Sequence, residues 1–344
     1  MPAPRLGFLI CALSVVGLLL SGCSEKIASQ DPKENIVAAW NDYRLGEFKK
    51  ALLEFEAATT ESAPAGANDE MHLQALYGLA TTWNLRRPDE DFNQATQFYR
   101  KIIALAPTND LAAWSMLALA RMKHLVPVGT EPDYAQARIA YQECIDHFPN
   151  HLASEEAFIY QQETFLVKFS PADAATALAA LQKFIGDHPK SPNLSPAYAL
   201  VGQAYYVLGN PVKRLEAKIR ANDKEEIDPG NPLQDRAIRY WEIAAIAEFD
   251  VGDFNTARKY YRRLLTDYPN DMRCYGAKSA LGRMDALEAE FRAKSSNAVI
   301  DRIVPDVGRA ASPFDAKPTS STNGLAARPT PRSNGQAFTG TVLR

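Results

Sequence analysis

Cysteine, glycine and charge of one sign are all scarce in this chain, and each scarcity removes a class of protein. Four cysteines in 344 residues cannot build a dense disulfide framework, and 18 glycines are too few for a collagen-like chain. Lys and Arg number 38 against 41 Asp and Glu, a formal charge of −3, so there is no basic field to draw in nucleic acid and no nucleic-acid partner is expected. Long apolar runs are missing beyond Leu20, which excludes a polytopic membrane protein. Motifs of chemistry are missing too: there is no phosphate-cradling glycine loop, no zinc-protease helix and no nucleophile elbow. The chain is therefore not expected to be an enzyme, with no catalytic residues, no metal and no cofactor. What remains is ordinary globular usage, 46% apolar and 23% charged, at a length that suits two domains or one long repeat array.

The first residues read as an address. Arg5 precedes an apolar run from Leu6 to Leu20, too short to span a bilayer comfortably and suited to the core of a signal peptide. Leu20-Ser21-Gly22-Cys23 then resembles the bacterial lipobox. That resemblance implies a signal peptide over 1–22, cleavage behind Gly22 and lipidation of Cys23, with a lipidated linker over 23–33. A plain secretory signal with Cys23 incidental is the other reading. Two or three acyl chains at roughly 0.8 kcal/mol per buried CH₂ would hold the protein on a membrane where one would let go. Ser24 stands where the lipoprotein families it resembles carry Asp as an inner-membrane retention signal, so the implied address is the periplasmic face of the bacterial outer membrane. Cys144 and Cys274 remain as two thiols far apart in sequence, expected as small core residues rather than as a pair.

The body of the chain repeats itself. Ala95-x3-Tyr99-x7-Pro107, Ala137-x3-Tyr141-x7-Pro149 and Ala257-x3-Tyr261-x7-Pro269 share one spacing, and an aromatic (Phe92, Tyr134, Phe254) stands three residues before each Ala. Ala177-x3-Leu181-x7-Pro189 repeats it with weaker residues, and Gly46-x-Phe48-x2-Ala51-x3-Phe55 gives the front half of another copy. This spacing resembles the second helix of a tetratricopeptide repeat, in which a small residue lets two helices approach, an aromatic fills the next layer and Pro ends the helix. First helices fit as well: Trp241 and Ala245 before Gly252-Asp253-Phe254; Leu76, Leu79, Ala80 and Trp83; Trp114, Leu117 and Ala118; Tyr198, Val201, Gly202 and Tyr205. The resemblance implies an all-α superhelical solenoid of about six copies, within a domain spanning 34–294. An accidental helical bundle would not place proline stops and turn glycines in phase with the aromatics. The fifth copy departs from the pattern, with Arg214 where Ala is expected, leaving the register open across 213–232. A last amphipathic helix, 271–294, is expected to cap the array with Leu281, Met284, Leu287 and Phe291 inward.

From Ser295 the composition changes, and Ser312–Arg344 holds few large apolar residues, so 295–344 is expected to be a flexible tail. Residues after Lys294 carry net +3, leaving −7 for the rest once Arg5 is removed with the signal. Cys144-x2-His147-x3-His151 has donor types that zinc accepts, but Cys144 occupies a core position and Pro149 breaks the chain between the histidines, so no metal site is expected.

In proteins resembling tetratricopeptide arrays the first helices line a concave groove that holds a polypeptide. Carried over by position, that resemblance selects Trp40 and Tyr43 in the first copy, Thr81 and Asn84 in the second, Leu119 and Met122 in the third, Gln203 and Tyr206 in the fifth, and Ile246 and Phe249 in the sixth, with Tyr77, Arg239 and Glu242 a turn or two earlier. Aromatics and Arg are the types that anchor interfaces. The lipobox, the short spacer and repeats closing on Phe148-Pro149-Asn150 or Tyr268-Pro269-Asn270 are similar to the lipoprotein subunit of the outer-membrane β-barrel assembly machinery. The function implied is a non-enzymatic scaffold on the membrane, attached through its N-terminal lipid and binding a protein or peptide in the groove. A cell-envelope accessory that binds peptidoglycan or a polysaccharide-export complex is the other reading.

Overall fold

The computed structural model describes residues 31–61, 69–86, 89–226 and 235–303. The signal segment, Cys23 and the tail from 304 onward lie outside the described residues, as do the expectations attached to them.

Among the described residues the elements are helices, and they come in pairs. The pairs are α1 (Pro32–Leu45) with α2 (Phe48–Glu61), α3 (Glu70–Leu85) with α4 (Phe92–Leu105), and α5 (Asp110–His124) with α6 (Tyr134–His147). Next come α7 (Leu152–Leu166) with α8 (Pro171–Asp187), α9 (Leu194–Val207) with α10 (Pro211–Lys224), and α11 (Arg236–Ala245) with α12 (Phe254–Asp267). A π-helical turn (Ile246–Val251) prolongs α11, and α13 (Arg273–Ile303) follows the sixth pair.

Local chemistry explains where the second helices begin and end. Asp91, Asp133, Ser170, Asn210 and Asp253 each accept a backbone N–H three residues on, filling donors that the first helical turn leaves open. At the other end Ala106, Phe148, His188 and Tyr268 each precede a proline, and all four leave the helix in the same way, with φ between −142° and −120° and ψ between 57° and 68°. The proline ring forbids the helical conformation to the residue before it, so one contact sets the stop four times.

Packing follows from the small residue of the motif. Ala95, Ala137, Ala177 and Ala257 are fully buried, as are Tyr99, Tyr141, Leu181 and Tyr261 one turn later. Consecutive first helices touch, α1 on α3, α3 on α5, α5 on α7 and α7 on α9, whereas no contact joins consecutive second helices among the described residues. The first helices therefore line the inner side of the array.

The fifth copy breaks this rule. Arg214 and Lys218 occupy the Ala and Tyr positions of α10, and no Cα atoms of α9 and α11 come within 8 Å of each other, although Arg239 Nη1 donates to Ser195 Oγ at 3.4 Å. Charge joins α10 to the sixth copy: Arg214 meets Asp250 at 2.9 Å, Lys218 meets Glu242 at 2.7 Å and Arg239 meets Glu225, just past α10, at 2.8 Å. Leu215, Ala217 and Ala221 supply what apolar burial remains in α10. Arg214 Nε, Asn222 Oδ1, Glu225 Oε2 and Arg236 Nε are buried there without a hydrogen-bond partner.

The cap differs from expectation. Cys274, Ala277, Ala280 and Met284 of α13 join the core of the sixth copy, with Leu281 packed against it. Leu287 and Phe291 do not, being 46% and 74% exposed. The reason is length: at about 1.5 Å per residue, the stretch from Arg273 to Met284 already matches the reach of the 14-residue α12. The helix also runs past Lys294 to Ile303, since the next proline or glycine after Gly282 is Pro305. Residues to Met284 belong to one compact unit and those from Asp285 to a second. Cys144 and Cys274 are buried and unpaired, and burial pushes the Cys144 thiol up to about 11.

The glycine of α3 is needed for its bareness. A Cβ on Gly78 of α3 would run into the ring of Phe55 on α2. Gly→Ala inside a helix ordinarily stabilises by about 0.5–1 kcal/mol, and here the sign reverses. Gly78→Ala destabilises the wild-type chain and stabilises the Phe55→Ala chain in urea melts; additive effects would show that the ring does not limit the approach.

Candidate functional site

Three aromatics stand in water at the ends of first helices in consecutive copies. Phe169, in the turn after α7, is 55% exposed, Tyr206 in the last turn of α9 is 52% exposed and Phe249 in the π-helical turn is 67% exposed. They belong to one string of contacts. The Phe169 and Tyr206 rings meet edge-on at 6.4 Å, the Arg214 guanidinium covers Tyr206 at 4.6 Å and reaches Asp250, and Arg283 of α13 lies 5.2 Å from the Phe249 ring. Phe169 holds a φ of 52°, a region that costs a residue with a Cβ, so the fold spends backbone strain to place this ring. Val167, Leu208 and Val212 add exposed apolar surface in the same turns.

The π-helical turn explains why Phe249 faces out while the three residues before it do not. One extra residue in the turn carries Ile246 and Glu248 inward. Ile246, expected in the groove, is core. Glu248 accepts a hydrogen bond from the Tyr261 hydroxyl at 3.0 Å and from Arg283 Nε at 3.0 Å, which satisfies a carboxylate that burial would otherwise penalise.

Elsewhere the selected residues divide. Trp40 packs edge-on against Phe55 at 5.1 Å and Tyr43 at 5.5 Å, so in the first copy the two aromatics are partly buried against the core between helices. Thr81 is buried with its hydroxyl 3.4 Å from that of Tyr99. Tyr77 lies half-buried across Tyr99, and burial raises its hydroxyl far above the usual tyrosine range. Leu119 and Met122 turn toward Ala95 and Tyr99 and, with Met116, Arg100 and Ile103, line a hollow between α4 and α6. Arg239 and Glu242 already hold Glu225 and Lys218, where α11 meets α10 and its C-terminal cap. Gln203 and Asn84 are partly exposed on α9 and α3.

A second group on the inner side was not selected from sequence. Glu156, Tyr160 and Glu163 share one face of α7 at helical spacing, and Arg121 of α5 approaches Glu156 at 3.6 Å and the Tyr160 ring at 5.0 Å. Beneath them His124 is buried among Tyr134, Tyr141 and Tyr160, its Nδ1 3.2 Å from the Tyr141 hydroxyl. Burial, with Arg121 adding repulsion, lowers His124 to about 4. Burial raises both Glu156 and Glu163, with Arg121 opposing it only at Glu156. The fourth copy lacks the aromatic-small phrase that marks other first helices, so nothing in its sequence pointed to α7. Cys144, His147 and His151 do not converge: the thiol lies against the Ala113 carbonyl at 3.7 Å, His147 against the Glu143 carbonyl, and His151 Nδ1 accepts the Ala153 N–H.

Residues 237–271, covering α11, the π-helical turn and α12, match the family model of the tetratricopeptide repeat. The fold is a tetratricopeptide-repeat solenoid. No curated protein matches the sequence. Among solved structures the solenoid is similar to PilW, a widely conserved type IV pilus biogenesis factor, at 14% identity over 74% of this chain and 100% of that one, with a TM-score of 0.49. It is similar to PilF of Pseudomonas aeruginosa at 15% identity over 72% and 96%, TM-score 0.46. A tetratricopeptide repeat protein of Parabacteroides merdae shares 10% identity over 78% and 89%, TM-score 0.43. A solenoid of this kind is suited to protein–protein interaction through its first helices.

The buried histidine gives the solenoid a pH signature. The unfolded chain takes a proton on His124 below its ordinary 6.5 and the folded chain does so only near 4, so this group withdraws stability as pH falls between those values. Glu156 and Glu163, raised by burial from their ordinary value, act in the opposite sense and add stability on acidification. His124→Phe isolates the first effect. Relative to wild type, the variant gains on the order of 1–2 kcal/mol between pH 7 and pH 5 in parallel melts; a difference that stays flat with pH would show the imidazole to be free to charge.

Proposed function

We propose that this chain is a non-enzymatic scaffold of the bacterial envelope, anchored by lipid on Cys23 to the periplasmic face of the outer membrane, that holds a partner polypeptide and serves outer-membrane protein assembly. The observation that carries the reading is the exposed row of Phe169, Tyr206 and Phe249. Three large rings left in water in consecutive copies, one at the cost of a strained backbone, are what a surface carries when its apolar contacts are completed by another molecule. The rest of the reading draws on the lipobox-like Leu20-Ser21-Gly22-Cys23. Among the described residues no helix is long and apolar enough to cross a membrane, so within them nothing duplicates the work of a lipid anchor.

Two experiments separate the parts of the proposal. Cys23→Ala should abolish labelling by a fatty-acid analogue and release the chain from membranes, and label that persists would remove the anchor. Tyr206→Ala with Phe249→Ala should leave helicity and lipidation intact and weaken recovery of an integral β-barrel partner about thirtyfold, the effect of losing roughly 2 kcal/mol of central aromatic contact. Unchanged recovery by the double variant would move the binding surface elsewhere. Pelleting of the wild-type chain with purified peptidoglycan, with no β-barrel partner recovered, would assign the protein to the wall instead.

A further inference from the structure

The aromatic row says that a polypeptide docks but not what chemistry it presents, and the inner face of α7 adds that information. Glu156, Tyr160 and Glu163 are successive residues of one helical stripe, all partly exposed. Tyr160 is backed by the stacked ring of Tyr141 at 6.0 Å and 12°, which fixes its plane. The stripe already shows its taste for one group, since the Arg121 guanidinium sits 5.0 Å from the Tyr160 ring and 3.6 Å from the Glu156 carboxylate. Glu163, one turn further along, has no such companion: no hydrogen bond or ion pair reaches its carboxylate among the described residues, and burial with no opposing cation raises its pKa. A sheltered carboxylate beside an aromatic ring, with no cation of its own, is a half-finished ion pair. The part of the chain that contains the solenoid also carries excess negative charge, −7 against +3 after Lys294.

Resting on the reading that the solenoid holds a polypeptide, we infer that the partner is an extended segment bearing an arginine whose guanidinium enters the inner face at α7, paired with Glu163 and lying along the edge of Tyr160. Arginine is the fitting cation. Its planar fork matches a carboxylate through two parallel hydrogen bonds and stacks on aromatic rings, and it sheds water more readily than the compact ammonium of lysine. Partial burial strengthens the pair over one in open solvent.

The test uses the full chain and a random decapeptide display library. Peptides selected on the wild-type chain should be enriched in arginine over the input, more than in lysine, and peptides selected on Glu163→Gln should lose that enrichment. The variant should melt at or above the wild-type temperature, because it removes a desolvated charge and keeps the shape. In a peptide chosen on the wild-type chain, arginine replaced by citrulline should cost roughly tenfold or more in affinity, the size of a lost charge-assisted contact, and little on Glu163→Gln. Selected peptides without arginine enrichment, or a citrulline penalty equal on both chains, overturn the inference. If such peptides still depend on Tyr206 and Phe249, the polypeptide-binding reading survives that result. Absence of any selected peptide overturns both. Should Glu163→Gln fail to fold, the citrulline exchange on the wild-type chain decides alone, and a loss well under tenfold rejects the pairing.

Discussion

Everything in this molecule depends on how closely two helices of a pair can approach, and that distance is set by an alanine. At Ala95, Ala137, Ala177 and Ala257 the second helix offers only a methyl group to the first, and the space gained is filled one turn later by Tyr99, Tyr141, Leu181 or Tyr261. A buried tyrosine brings a hydroxyl that must find a partner, and three do so on the first helix or its continuation: Thr81, His124 and Glu248. The buried polar residues of the inner side are thus consequences of the packing motif. His124 stays neutral and Glu248 acquires Arg283 because a tyrosine was needed to fill the layer above an alanine.

Much of this was legible in the sequence for a physical reason. Proline acts on its immediate predecessor, so Ala106, Phe148, His188 and Tyr268 leave their helices where the text of the chain says they must. The small and aromatic positions are equally local, since a helix of fixed pitch converts spacing into direction. Departures arise where direction depends on a neighbour. Trp40 and Tyr43 have the right phase for the inner side, yet Phe55 captures them. Ile246 has the phase of Phe249 and is buried, because a π-helical turn changes the rotation between them and no residue type encodes such a turn. Leu287 and Phe291 continue an apolar stripe past the length of the helix that could cover it.

The candidate site was legible in part. Tyr206 and Phe249 could be named because the first helices of their copies keep the motif, whereas Phe169 lies in a turn whose left-handed backbone only a structure reveals. The stripe of Glu156, Tyr160 and Glu163 escaped for a different reason. Carboxylates near one another on a helix usually mean a solvated face, and what distinguishes these is shelter given by α5 and by the ring of Tyr141, which no spacing rule reports.

The seam between the fifth and sixth copies differs from the others in what carries it. Other consecutive copies also meet through their first helices, whose side chains pack at close range. At this seam α9 and α11 keep their backbones apart, and α10 meets the sixth copy through the buried Leu215 and through ion pairs, Lys218 to Glu242 and Arg239 to Glu225. Such tethers tolerate ångström displacements with small changes in energy, and dissolved salt weakens them. Part of the hold across the joint that separates Tyr206 from Phe249 is therefore tuned by ionic strength, while the buried Leu215 keeps α10 on the core of the sixth copy.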